Sequence, residues 1–118
     1  MPNKVGRDKA LPRASVEILA TLAAGEQHGY GIKHEVEERT DGVVRLAAGT
    51  LYAALDRLST QGWIEALDER PDSDLGSTRW RYFRITTAGR VALNAEITRL
   101  EKLVRTVRAL DLTDPETS

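Results

Sequence analysis

Thr50, Tyr52 and Arg57 are the polar side chains whose spacing first points to a task. They lie in the stretch Ala47-Ala48-Gly49-Thr50-Leu51-Tyr52-Ala53-Ala54-Leu55-Asp56-Arg57-Leu58, closed by Gln61-Gly62-Trp63-Ile64. Leu51, Leu55 and Leu58 recur at i, i+4 and i+7, which predicts a helix with these three facing a core. Gly49, Ala53 and Thr60 then fall on the opposite side, with Thr50, Tyr52 and Arg57 on its flanks. A helix that turns small groups and a few donors outward can approach another surface closely. The major groove of B-DNA, about 12 Å wide, admits such a helix. There Thr50 would contact a phosphate or a base edge, the Tyr52 hydroxyl a phosphate oxygen, and Arg57 a phosphate or a guanine edge. Backbone N–H groups at the helix start would favour an anion. Each residue also has a plainer role: Thr50 as a cap, Gly49 as a turn residue, Tyr52 as a half-buried brace, Arg57 in a surface ion pair.

Other chemistries find little to stand on. Cysteine is absent, which removes thiolate metal sites, Cys nucleophiles and disulfides. His28 and His34 are six residues apart, a spacing that a helix does not bring together as metal ligands. Gly29 and Gly31 lack the spacing and the following Lys-Ser/Thr of a phosphate loop. No nucleophile–base pair or paired-carboxylate motif stands out, so neither an enzyme nor a cofactor is expected. No apolar run approaches the ~18 residues of a membrane span, and Met-Pro-Asn-Lys does not begin a signal peptide. A cytoplasmic location without membrane contact is the expectation.

The formal net charge is −1, an unpromising value for a partner of nucleic acid until its distribution is read. Asp111, Asp114 and Glu116 crowd the C-terminal tail; without them 15 acids face 17 bases, a net of +2 over residues 1–110. Basic residues gather at Lys4, Arg7, Lys9 and Arg13 and again at Arg79, Arg81 and Arg84, whereas acids gather at Glu35, Glu37 and Glu38 and again at Asp72 and Asp74. Segregated charge keeps DNA open as a partner without requiring it.

The elements that must position these residues follow in order. Residues 1–11 are basic and aperiodic, a loose arm. A helix is predicted from Pro12 to Ser15 onward, with Ser15 as cap and Val16, Leu19, Ala20 and Ala23 as its apolar stripe, ended by Gly25. A second helix spans Tyr30 to Thr40 with Ile32 and Val36 inward, and Asp41-Gly42 stops it. Val43-Val44-Arg45-Leu46 is short and β-prone. The Tyr30–Thr40 helix, this short Gly-containing connection and the small-faced helix with Leu51, Leu55 and Leu58 form a helix-turn-helix arrangement. Beyond it, residues 63–69 alternate as a strand, residues 71–77 are rich in turn formers, and residues 78–86 resume as a strand. Strand, loop and strand make a wing, with Arg79 and Arg81 on one side of it and acids at its tip. Thr86 or Thr87 caps a last helix. Its Leu93, Ile97, Leu100, Val104 and Val107 step by 4, 3, 4 and 3, flanked by Leu103 and Leu110. About 23 helical residues span ~35 Å, more than this core needs, so the heptad seam predicts a second copy as partner.

The fold class expected is therefore mainly α with a two-stranded β wing. It divides into an arm (1–11), a winged helix-turn-helix domain (12–86), a dimerisation helix (87–110) and an acidic tail (111–118).

Four motifs in series carry a family resemblance over roughly residues 14–92. His28-Gly29-Tyr30-Gly31-Ile32, Gly49-Thr50-Leu51-Tyr52-Ala53-Ala54-Leu55, Leu58 with Gly62-Trp63-Ile64, and Arg81-Tyr82-Phe83-Arg84-Ile85-Thr86-Thr87-Ala88-Gly89-Arg90 resemble the signature of PadR-like transcriptional regulators. The resemblance implies a dimeric winged helix-turn-helix repressor of the compact subfamily, with double-stranded DNA as partner and Tyr52 at the position of a DNA-facing tyrosine. Ala53 stands where a proline is common, and Phe83 where a tyrosine is more usual. In multidrug-responsive relatives, aromatic residues near the dimer interface sandwich planar ligands, which makes Trp80 a candidate for a small aromatic effector. The competing reading is a winged-helix module that docks a protein through the same helix; the acidic wing tip is compatible with it.

Overall fold

The computed structural model describes residues 9–112. Seven elements follow one another: α1 (Arg13–Ala24), β1 (Gln27–His28), α2 (Gly29–Arg39), α3 (Ala48–Thr60), β2 (Ile64–Pro71), β3 (Arg79–Ile85) and α4 (Thr87–Arg108). The expected helix-turn-helix, wing and long last helix are present, with differences that have physical causes. The sheet has three strands rather than two, ordered β1-β3-β2 and antiparallel throughout. Its extra strand is only Gln27–His28, pairing with Phe83 and Tyr82. Val43-Val44-Arg45-Leu46 forms no strand; Leu46 is instead buried in the core, and the segment carries the chain from α2 across to α3. Ser15 does not cap α1. Pro12 holds the N-cap position without a side-chain hydrogen bond, and Ser15, inside the helix, is buried.

One core unites the helices with the base of the wing. Ile18, Leu19 and Leu22 of α1, Ile32 and Val36 of α2, and Leu51, Leu55 and Leu58 of α3 are buried against Ile64 and Phe83. Each such side chain contributes about 1.5–3 kcal/mol relative to exposure. The alternation that puts Phe83 and Ile85 inward turns Trp80, Tyr82 and Arg84 to the other face of β3.

Polar residues bolt the helices together from outside this core. Glu17, 8% exposed, accepts from Arg13 Nε at 2.7 Å and from Arg39 Nη2 at 2.8 Å; Arg39 also donates to Thr21 Oγ1. Burial alone would raise the Glu17 carboxyl, but the hydrogen bonds from Arg39 and Arg13 outweigh it and hold the group below its ordinary value. Glu96 on α4, also buried, accepts from the Leu11 N–H at 3.2 Å and from Arg99. Leu11 packs on the core as well, so the chain just before α1 is tied down. Residues 1–8, most of the expected arm, and 113–118 of the tail lie outside the described residues.

The start of α4 is fixed by a cap and a close approach. Thr86 Oγ1 accepts from the Gly89 N–H at 3.0 Å and donates to the Gly62 carbonyl at 2.7 Å. A Cβ on Gly89 would stand 2.1 Å from the Trp63 carbonyl oxygen, so only glycine lets the helix sit this close. Beyond Glu96, every described α4 residue is exposed.

Because the Glu17 carboxyl is depressed in the folded state, its stabilisation is present above the ordinary carboxylate range and is lost as pH falls through the lowered value. Glu17→Gln is expected to cost on the order of 1 kcal/mol at neutral pH. The gap to the wild type should narrow as pH falls below the ordinary carboxylate range, as thermal melts at neutral and at acid pH would show; an equal gap at both would contradict the assignment.

Candidate nucleic-acid interface

The inner stripe of α3 (Leu51, Ala54, Leu55 and Leu58) is buried, and this seats the helix with its other side outward. Gly49, Thr50, Tyr52, Ala53, Arg57 and Thr60 are all exposed. Ala47 holds the N-cap position in an extended conformation with no side-chain hydrogen bond. Thr50 therefore does not cap the helix, and its hydroxyl is left to solvent. Gly49 has no positive φ, and a Cβ there would meet nothing within 4 Å. No turn demands this glycine; its effect is to leave the first turn of α3 bare. Arg57 has no ion-pair partner among the described residues, so its five guanidinium N–H donors are free.

Tyr52 does two things at once. It is 50% exposed, yet its hydroxyl lies 2.7 Å from where a Cβ of Gly29 would stand. The ring thus braces α3 against the first turn of α2, and the missing side chain of Gly29 makes room for it.

The wing is interrupted. The β2–β3 register shifts between Ala66 and Glu69, separating a base on the core from a distal hairpin formed by residues 69–71 and 79–81. Arg79 and Arg81 are exposed on one side of β3, as alternation predicts, but each guanidinium reaches back to β2. Arg81 Nη1 donates to the Leu67 carbonyl at 2.7 Å, and Arg79 Nη2 to that of Glu69. Both stitch the irregular stretch; Arg81 also faces the Glu69 carboxylate across the hairpin, Nη2 to Oε2 3.7 Å, and each guanidinium keeps further N–H groups for an outside acceptor.

The opposite face of β3 holds a cluster that spacing did not reveal. His28, 1% exposed, accepts the Gly31 N–H on Nδ1 at 3.0 Å, capping α2. With Nδ1 an acceptor, Nε2 carries the proton and donates to Asp72 Oδ2 at 2.8 Å. The ring stacks on Trp80 at 4.9 Å and meets Tyr82 edge-on at 5.2 Å. Tyr30 stacks on Trp80 at 5.6 Å and bonds His34 through its hydroxyl at 2.8 Å. Tyr30 is thus a brace, and Asp72 is a partner of His28 rather than a loose acid at the wing tip. The hydrogen bond from His28, and then that from the Asp74 N–H, hold the Asp72 carboxyl below its ordinary value. Trp80, the candidate effector residue, has His28 and Tyr30 against its ring. The groove of about 440 Å³ on α4 is lined elsewhere, by Leu103, Val104, Val107, Arg108, Asp111 and Leu112.

Residues 18–95 match the model of the transcriptional regulator PadR-like family. The chain belongs to that family. It is 36% identical over 97 residues to a transcriptional regulator of Mycobacterium tuberculosis, a match covering 80% of this chain and 84% of that protein. It is also 34% identical over 90 residues to an uncharacterised 37.1 kDa protein of a Streptomyces fradiae transposon, covering 76% of this chain and only 24% of that longer protein. Among solved structures, Bacillus subtilis PadR in complex with operator DNA superposes with a TM-score of 0.58 at 21% identity, covering 70% of this chain and 45% of that one. The winged-helix fold is thereby that of the PadR-like regulators.

In this PadR-like chain one local signal for the His28 cluster was available: His28 precedes Gly31 by three residues, the spacing of a side-chain N-cap. Its partner Asp72 is 44 residues away, and no local pattern announces it. Since nothing opposes a Cβ at Gly49, Gly49→Ala is expected to raise stability by up to about 1 kcal/mol through helix propensity. Urea unfolding would read this; a loss of stability would mean that the bare first turn is structurally required.

Proposed function

We propose that this PadR-like regulator is a homodimeric DNA-binding repressor that places residues 48–58 in the major groove of a palindromic operator. The observation that carries this is the division of α3: its Leu51–Leu55–Leu58 side is buried, while its small outer face is covered by no other element among the described residues. Thr50 and Tyr52 would hold phosphates and fix register. Arg57 is the side chain free to reach a base edge. Gly49 and Ala53 allow the backbone close to the groove wall. Arg79 and Arg81 would add phosphate or minor-groove contacts from the wing. With so few base-reading groups on α3, DNA shape would contribute much of the specificity.

The dimer would form along α4. Leu93 packs on the domain's own core, and the seam then continues into solvent through Ile97, Leu100, Leu103, Val104 and Val107, between 36% and 56% exposed. An apolar stripe of this kind is rarely left in water. Pairing two copies would set the α3 helices for half-sites about one helical turn apart, ~34 Å. No helix among the described residues is long and apolar enough to cross a membrane, in keeping with a cytoplasmic site of action.

Selection of bound fragments from genomic DNA should recover a palindrome, and log affinity should fall with log salt at a slope near −0.9 per phosphate contacted. Tyr52→Phe should weaken all sequences about equally. A flat salt dependence without a recovered motif, together with capture of a partner protein at low salt, would favour the protein-docking reading instead. For the dimer, sedimentation of Ile97→Glu and Leu100→Glu is expected to give half the wild-type mass; retention of that mass would refute the seam.

A further inference from the structure

The distal hairpin of the wing is connected to the rest of the domain in a way that the function above does not use. Past the register break its ladder leads only to its own strands. Three side-chain links reach back to the β1–α2 junction: Arg70 to Glu26 at 2.7 Å, Asp72 to His28 at 2.8 Å, and Trp80 stacked on His28 and Tyr30. The first joins two partly exposed side chains, and such a pair contributes little; the Arg70 guanidinium otherwise lies over the Tyr82 ring at 4.2 Å, a contact within the sheet itself. The other two converge on one buried ring. Asp72 also accepts the Asp74 N–H on Oδ1 at 2.8 Å, so the residue that meets His28 also shapes the loop joining β2 to β3.

We propose that His28 is the positioning residue of the wing: by holding Asp72 on Nε2 and Trp80 on its face, it latches the distal hairpin to the N-terminus of α2. The hairpin is gripped on the Trp80–Tyr82 face, and its other face presents Arg79 and Arg81. Because the same ring caps α2 through Nδ1, the wing is set relative to the helix-turn-helix and not only relative to the core. The latch fixes where the two arginines stand beside an operator, and in this respect it rests on the DNA-binding reading.

Two variants separate the latch from the fold. His28→Asn retains a side-chain oxygen able to cap Gly31 but cannot reach Asp72 or cover Trp80. Asp72→Ser retains a turn-forming oxygen for the Asp74 N–H but cannot reach His28. The first measurement is amide hydrogen exchange of the free protein. Residues 69–70 and 79–81 should exchange about tenfold faster or more in both variants, with α3 and α4 unchanged. The second is hydroxyl-radical footprinting and a salt series on the selected operator. Protection should persist at the motif centre and vanish at the flanks, with the salt slope reduced by up to about 2, one for each wing arginine. Unchanged wing exchange in Asp72→Ser overturns the latch, as does faster wing exchange with full flank protection. If the wild type selects no DNA, the regulatory reading fails by itself, while the exchange measurement still decides whether His28 holds the wing.

Discussion

The burial of Leu51, Ala54, Leu55 and Leu58 is the constraint from which the rest of this PadR-like domain follows. A helix of 13 residues has little stability alone in water, so α3 exists because its apolar stripe is seated on α1, α2 and the root of the wing. Using that stripe for adhesion leaves the other side with no structural duty. Gly49, Thr50, Ala53 and Arg57 are exposed not as leftovers of packing but as the complement of it. Tyr52 is the exception: it adds a lateral brace onto Gly29, tying the orientation of α3 to that of α2.

Charge follows the same economy. The acids that would repel a polyanion are largely turned into internal partners: Glu17 with Arg13 and Arg39, Glu65 with Arg84, Asp72 with His28, Glu96 with Arg99. Arg57 on the outer face of α3 keeps its donors unspent. Global charge is thus a poor guide to what the surface beside α3 presents, since potential is set by local distribution and neutralisation.

Much of this was legible in the sequence, and the remainder was not for physical reasons. Periodicity found α3 and α4 because an amphipathic helix writes its burial into every third or fourth residue. It also put Arg79 and Arg81 on one side of their strand. It missed β1, since two residues, Gln27 and His28, cannot display an alternation. Val43-Val44-Arg45-Leu46 is β-prone in composition, yet that preference is a matter of fit to a sheet, and this segment pairs with no strand. Ser15 fits a cap by residue type; its burial within the first turn of α1 shows position overriding propensity. Trp80 is an effector candidate by resemblance alone, whereas His28 and Tyr30 against its ring are contacts that only the folded chain brings about.

The sheet order β1-β3-β2 makes β2 an edge strand, with unpaired backbone groups along one side. Such edges invite strand addition between molecules. Here the edge is spoiled as a template: its register breaks between Ala66 and Glu69, charged Glu65, Asp68, Glu69 and Arg70 follow one another closely, and Pro71 closes it. The opposite edge, β1, is two residues long. Strand addition is therefore disfavoured at both edges, and the large exposed apolar side chains that line up among the described residues are on a helix, α4.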